Sequence, residues 1–175
     1  MGDDGKRRPE HVSRFRSPVR RKGEGFIIDL GDQEAEVVLH LVDELRTLLT
    51  NTNSEPAAEA LTARLFPVVH PENAEMEAEY QRLMRDELVQ SKLSALSQVE
   101  AALRGNGRVN ESQLLAFMQA VNSIRLVLAV MLGIADDESA EAIDGISELA
   151  ETHQQMLYHY LSWLLEHAVS SQFRP

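Results

Sequence analysis

The chain has 175 residues, no cysteine, and 28 acidic against 17 basic residues, which gives a net charge of −11. This length fits one domain of ~150 residues with a tail. Such a chain buries enough surface on folding to be stable without disulfide bonds or other cross-links. The absence of cysteine excludes disulfides, thiolate metal sites, iron–sulfur ligation and a cysteine nucleophile. It also fits a reducing compartment such as the cytoplasm.

The charge is unevenly distributed along the chain. Residues 1–22 carry eight basic and three acidic residues, net +5, whereas the other 153 residues carry nine basic and 25 acidic residues, net −16. We predict a disordered basic arm over residues 1–14 and one domain over residues 15–172. The arm is interpreted as a solvated tail that folds back on the acidic body, as a phosphate-binding segment, or as a partner-docking segment.

Neither a secretory signal nor a membrane span is expected. No apolar stretch of 7–15 residues follows the basic arm, and no run approaches ~18 apolar residues. The longest apolar run, Leu126 to Ala135, is ten residues long and follows Arg125.

A β-hairpin is predicted at the start of the domain. Phe26–Leu30 is rich in β-branched and aromatic residues and lies between Gly25 and Gly31, so it reads as a strand. Ser17–Arg21 is expected to pair with it across Lys22–Gly25, whose glycines permit positive φ. A lone hairpin is marginal in water, so it must pack on another element.

Helical periodicity begins after the hairpin. Apolar residues from Val37 to Leu49 recur on one helical face, after a first turn rich in acids. Asn51–Pro56 is a polar break. A short helix over roughly Ala57–Leu65 is then predicted, ending at Phe66-Pro67.

A long helical stretch is predicted from Pro71 to Arg104, with Asn73 as its N-cap. Its apolar pattern shifts phase near Arg85-Asp86. We therefore expect a kink or break there, with Asp86 as a candidate second cap. We interpret Gly105–Gly107 as the end of this helix, where a glycine takes the left-handed backbone conformation.

Two further helices complete the predicted fold. Asn110–Gln113 is a capping box that opens a helix running to Gly133. The second half of that helix is apolar nearly all round, so we predict it to be the central helix. An acidic linker begins at Asp136–Ser139, and a last helix is predicted over about Gly145–Ser170. The predicted fold is mainly α: a single helical bundle of five to six helices with a short N-terminal β-hairpin.

The last helix carries two apolar stripes. One consists of Leu157, Leu161, Leu164 and Ala168, and the other of Met156, Tyr160 and Trp163. Two stripes indicate either contacts with two neighbouring elements or an exposed stripe used by a partner. The aromatic residues of this helix are thus either core residues or anchors of an interface.

No catalytic, cofactor or metal site is predicted. The six histidines lack the Glu-x-x-His spacing of di-iron bundles and the pattern of zinc-protease helices, and we interpret them as structural or surface residues. Gly23-x-Gly25 and Gly105-x-Gly107 each lack the third glycine of a dinucleotide loop. The many carboxylates are interpreted as solvated helix faces.

Two basic residues occupy unusual positions. Arg125 lies within the most apolar helix, and Lys92 lies between Leu88 and Leu93. A half-buried cation needs a carboxylate or several carbonyls, so these residues indicate internal ion pairs, or alternatively a site for an anion or a partner. The candidate partners for an ion pair are Asp86, Glu87 and Asp43.

These observations give one set of candidate partner or anion contacts. The set comprises Arg14, Arg16, Arg20, Arg21, Lys22, Lys92, Arg125, Tyr160 and Trp163. No predicted helix offers a basic recognition face, so direct reading of DNA is not expected, and any nucleic-acid contact falls to the arm. The sequence leaves open whether the chain forms a homodimer.

Several segments, in order, resemble a known family over about residues 15–170. These segments are Leu61–Pro67 with His70-Pro71, Ala78–Leu83, Asp86–Leu88 with Lys92-Leu93 and Leu96, Asn122–Leu128 ending at Leu132-Gly133, and Tyr160–Leu164. They are similar to the actinobacterial family long classed as a domain of unknown function, some members of which are named oxidative stress transcriptional regulators (AosR).

The resemblance implies a cytoplasmic, mostly helical and non-enzymatic protein. In regulatory members of the family, the proposed mode of action is protein contact with transcription machinery, such as an alternative sigma factor. Members are also often encoded near an adaptor of the Clp protease, which implies a rival role in regulated proteolysis. This chain departs from a thiol-based redox mechanism because it has no cysteine.

Overall fold

The computed structural model describes residues 17–51, 56–134 and 148–173. Within these ranges, the structure has three strands in one antiparallel sheet, five α-helices and one short 3-10 turn, which agrees with the mainly α prediction. The strands are β1 (Val19–Lys22), β2 (Gly25–Ile28) and β3 (Arg108–Val109), and the helices are α1 (Asp32–Thr50), α2 (Pro56–Thr62), α3 (Ala74–Arg104), α4 (Glu111–Met131) and α5 (Glu148–Phe173). The predicted arm and the acidic linker at 136–139 lie outside the described residues.

The predicted hairpin is confirmed, with a tighter turn. β1 pairs with β2 so that Val19 is opposite Ile28 and Lys22 is opposite Gly25. The loop is therefore only Gly23-Glu24, and Gly23 takes the positive φ of 63° that two-residue hairpin turns favour. β2 ends at Ile28, two residues before the predicted end, and its buried side chains cover part of the bundle.

A third strand was not predicted. β3 pairs with β2, with Val109 opposite Phe26, and the Gly107 carbonyl accepts a hydrogen bond of 2.8 Å from the Ile28 amide. The left-handed conformation expected at the end of the preceding helix falls on Gly107, at φ 70°, whereas Gly105 has φ −90°. Two residues are too few to show the alternation by which a strand is recognised.

A kink or break was predicted at Arg85-Asp86. The break is wrong, because α3 is one uninterrupted helix of 31 residues. Asn73 caps it as predicted, accepting hydrogen bonds from two backbone amides, and Asp86 is not a cap. The phase shift has another cause. The buried positions lie only in the C-terminal half, whereas Leu83 in the first half is 60% exposed. An apolar pattern that faces solvent need not stay in phase with one that faces a core.

Between Thr62 and α3, the predicted short helix ends in a different form. A 3-10 turn covers Ala63–Leu65, and Leu65 and Phe66 are both buried. Pro67 follows directly, and its missing N–H and fixed φ prevent continuation of the helix. This turn contacts α4 and places Phe66 beside the first half of α3.

α4 is the central helix, as predicted. It contacts α1, α2, α3, α5 and the sheet, and Phe117 and Val121 are fully buried. Its capping box is present: Asn110 Oδ1 accepts from the Gln113 amide at 2.9 Å, and Gln113 Oε1 accepts from the Asn110 amide at 3.0 Å. α4 also has a length and hydropathy that a membrane span would need, and half of that segment is buried inside the protein.

Replacing Asn110 with alanine is expected to lower the free energy of unfolding by about 1 kcal/mol, because the Gln113 amide loses its acceptor. Asn51→Ala is the matched control, since the bond at that end of α1 comes from the backbone N–H. Urea unfolding of both variants measures the difference. Equal effects of the two substitutions would contradict the capping role.

α5 runs to Phe173, three residues beyond the predicted end. Leu161, Leu164 and Ala168 are fully buried. These residues pack in the common core, where α5 contacts α4 on one side and β1 on the other. The N-terminal strand is thus covered by the C-terminal helix.

Candidate functional site

The two apolar stripes of α5 have different surroundings. The stripe that includes Leu161 and Leu164 is buried in the bundle. The other stays at the surface, where Met156 is 59% exposed and Trp163 is 41% exposed. The sequence left open whether the second stripe packs against a neighbouring element or is exposed. The structure shows that it is exposed. We call Met156, Tyr160, Trp163 and His167 the aromatic stripe.

Rings of the aromatic stripe stack along the helix. The Tyr160 and Trp163 centroids are 5.8 Å apart, and those of Trp163 and His167 are 4.5 Å apart. His167 Nδ1 is also 2.9 Å from the Trp163 carbonyl oxygen, which fixes the imidazole against the helix. The stripe is thus a preordered surface, and preordering lowers the side-chain entropy lost on binding.

Tyr160 is a partly buried member of the stripe. Its hydroxyl is buried and has no hydrogen-bond partner among the described residues. Burial, assisted by the nearby Glu34 carboxylate, raises the pKa of Tyr160, so the phenol stays neutral. Most buried polar groups in folded proteins have a hydrogen-bond partner, so this hydroxyl is unusual.

A shallow apolar groove of about 270 Å³ separates the start of α1 from α5. We call it the α1–α5 groove; it is lined by Gln33, Glu34, Val37, His153, Met156, Leu157 and Tyr160. Val37 is 40% exposed on the α1 side and extends the apolar surface beyond α5. Large exposed side chains that adjoin one another in this way are typical of interaction sites.

Basic residues of the hairpin adjoin the other end of the aromatic stripe. Arg20 and Arg21 line a cleft of about 190 Å³ between β1 and α5, together with His167. Arg20 forms an ion pair of 3.0 Å with Asp29, and the Arg21 guanidinium lies 5.5 Å from the Phe26 ring centroid. Arg14 and Arg16 lie outside the described residues, and Lys22 is exposed at the hairpin turn.

Lys92 and Arg125 do not form the predicted ion pairs. Within the described ranges, neither is paired with Asp86, Glu87 or Asp43, and Asp43 instead pairs with Arg46 at 3.2 Å. The Arg125 guanidinium faces Tyr158 of α5 instead, 5.8 Å from its ring centroid, whereas the acidic residues expected to pair with it lie on α1 and α3. Arg125 Nη2 donates to Asn122 Oδ1 at 3.0 Å, and its buried Nε has no acceptor among the described residues.

Lys92 lies instead in a cleft between α3 and α4. Sequence reasoning missed its polar neighbours on α4, Gln119, Asn122 and Ser123. The available signal was that, apart from Arg125, these three are the only polar side chains between Leu114 and Leu132. The cleft is separate from the aromatic stripe, because the two share no lining residue.

Metal ligands do not converge in the described part of the chain, where no group of three His, Asp or Glu side chains is placed to hold an ion. The Glu77 carboxylate shows what the acids of α3 do instead. It accepts hydrogen bonds from Gln81 and from the Val69 and His70 amides, and these bonds lower the pKa of Glu77. The group thereby holds the loop before α3 against the helix.

Residues 14–171 of the chain match the family model of the domain of unknown function DUF2017. No curated protein and no solved structure matches the chain.

Proposed function

We propose that this chain, which belongs to the DUF2017 family, is a non-enzymatic cytoplasmic regulator of the AosR type that acts by contacting a protein of the transcription machinery. The observation that carries the proposal is the exposed aromatic stripe of α5, which adjoins basic residues of the hairpin. Tryptophan, tyrosine and arginine are the side chains that most often dominate the free energy of protein interfaces.

The partner segment that best suits this surface is an amphipathic helix. A helix binds by placing an apolar face in a groove, and the α1–α5 groove offers Val37, Met156 and Leu157 for that contact. Acidic residues at one end of the partner helix would meet Arg21 and Lys22, which are exposed and form no ion pair with the described residues. An acidic, amphipathic segment of a sigma factor is therefore the proposed occupant.

A response to oxidants would need chemistry other than a thiol switch. The chain has no cysteine, so no disulfide of its own can form. Two ways to respond to oxidants remain: oxidation of an exposed methionine, or contact with a partner protein that is itself redox-active. Met156 is 59% exposed within the aromatic stripe, and its sulfoxide would make the stripe more polar.

Affinity purification of the tagged full-length chain from its native host tests the proposal. We expect recovery of a sigma factor or RNA polymerase, and we expect the double substitution Met156→Ala, Trp163→Ala to reduce that recovery at least tenfold. Loss of two large anchors at a hot spot removes about 2 kcal/mol or more of binding free energy.

Leu83→Ala is the matched control, because Leu83 is equally apolar and exposed but lies on the first half of α3. It should leave recovery unchanged. Enrichment of Clp subunits in place of transcription proteins would favour the adaptor role and contradict the proposal. Recovery of neither class, or equal loss with the control, would also contradict it.

A further inference from the structure

The cleft between α3 and α4 lies below the 3-10 turn and has a volume of about 330 Å³. This volume is within the range of small-molecule sites. Its polar lining consists of Arg64, Ser91, Lys92, Gln119, Asn122 and Ser123. The remaining wall is apolar and includes Leu88 and Leu126. A pocket with a few convergent polar groups on an apolar wall is the common form of a ligand site.

Lys92 is the unusual group in this cleft. Its side chain is half-buried, and burial lowers the pKa of Lys92. It has no ion pair with residues 17–51, 56–134 or 148–173, although the body of the protein carries a net charge of −16. The Phe66 ring centroid lies 5.9 Å from Nζ, at the limit of a cation–π contact, and the ring supplies no oxygen acceptor. The ammonium therefore retains unused hydrogen-bond donors.

Neighbouring groups add donors but no negative charge. Among the described residues, no Asp or Glu lines the cleft. Asn122 Oδ1 already accepts from Arg125, so its amide NH₂ is the end left for another molecule. Ser91 and Ser123 each carry a hydroxyl that can donate. Arg64, at the edge of the cleft, donates to the Ile134 carbonyl.

We propose that this cleft binds a small organic anion, whose carboxylate or phosphate group contacts Lys92 and Asn122 and whose apolar body packs against Leu88 and Leu126. Charge-assisted hydrogen bonds from an ammonium to an anionic oxygen are stronger than neutral ones. The apolar wall selects anions with a hydrocarbon part over fully hydrated ions. The proposal is independent of the function proposed for the aromatic stripe.

Nuclear magnetic resonance titration of the ¹⁵N-labelled full-length chain tests this inference. The probes are hexanoate, inorganic phosphate, and hexanamide, which has the same apolar body as hexanoate but no charge. We expect saturable shifts at Ser91, Gln119 and Asn122 with hexanoate, and much weaker binding or none with inorganic phosphate, which has no apolar body to pack against Leu88 and Leu126. Hexanamide should cause none.

Two variants locate the contact. Lys92→Met keeps the aliphatic stem and should weaken binding at least tenfold, and Asn122→Asp should do the same by replacing a donor with a negative acceptor. Lys22→Met, at the exposed hairpin turn, should bind like the wild type. The inference is overturned if hexanoate causes no saturable shifts, if inorganic phosphate or hexanamide binds as well as hexanoate, or if both cleft variants bind normally.

Discussion

Phe117→Ala is expected to lower the free energy of unfolding by about 3–5 kcal/mol. Phe117 is fully buried at the centre of α4 and belongs to the common core. Its removal loses the transfer free energy of an aromatic ring and leaves a cavity between elements that cannot all collapse onto it. Urea unfolding followed by circular dichroism measures the change. For a domain of marginal stability, this loss is a large part of the total.

Leu115→Ala is the matched control on the same helix. Leu115 is 53% exposed, so its truncation should change the free energy of unfolding by less than about 1 kcal/mol. If the two substitutions have similar effects, α4 is not the central helix of the fold.

Gly107→Ala adds only one methyl group, but we expect it to lower the free energy of unfolding by about 3 kcal/mol. A left-handed φ costs a residue with a Cβ about 1–2 kcal/mol. At Gly107, where φ is 70°, the added Cβ would also collide with the Ile28 carbonyl oxygen. The backbone must therefore move apart and lose the bond between the Ile28 amide and the Gly107 carbonyl, which contributes about 1 kcal/mol.

Gly23→Ala separates the two contributions. Gly23 has a similar φ of 63°, but a Cβ there meets nothing within 4 Å. It should show only the conformational cost of about 1–2 kcal/mol. In addition, hydrogen exchange at the Ile28 amide should become faster in Gly107→Ala and stay slow in Gly23→Ala. Equal effects of both substitutions would show that the sheet does not need this close approach.

Local sequence signals predicted the elements well. The periodicity from Val37 to Leu49 gave α1, and Asn110–Gln113 gave the start of α4, because both depend on residues within a few positions of one another. β3 was not predicted because only its pairing with β2 defines it as a strand. In that pairing Val109 lies opposite Phe26, a residue far away in the chain.

The surroundings of single side chains were less predictable. The spacing of Met156, Tyr160 and Trp163 predicted one helical stripe, but only the packing of α5 against α4 and β1 decides that this stripe is exposed. The partners expected for Arg125 lay on other helices, whereas the residue faces Tyr158. One helical face does not reveal which helix will cover it.

The contact between β1 and α5 joins the two ends of the described chain, and this sets the order in which the fold can be completed during synthesis. β1 and β2 leave the ribosome early, but β3 comes from mid-chain, and α5 comes last. The hairpin alone is only marginally stable, so it stays unprotected until β3 and α5 have been synthesised. We therefore expect the first strand to be the last element to gain protection in pulse-labelling experiments on the growing chain.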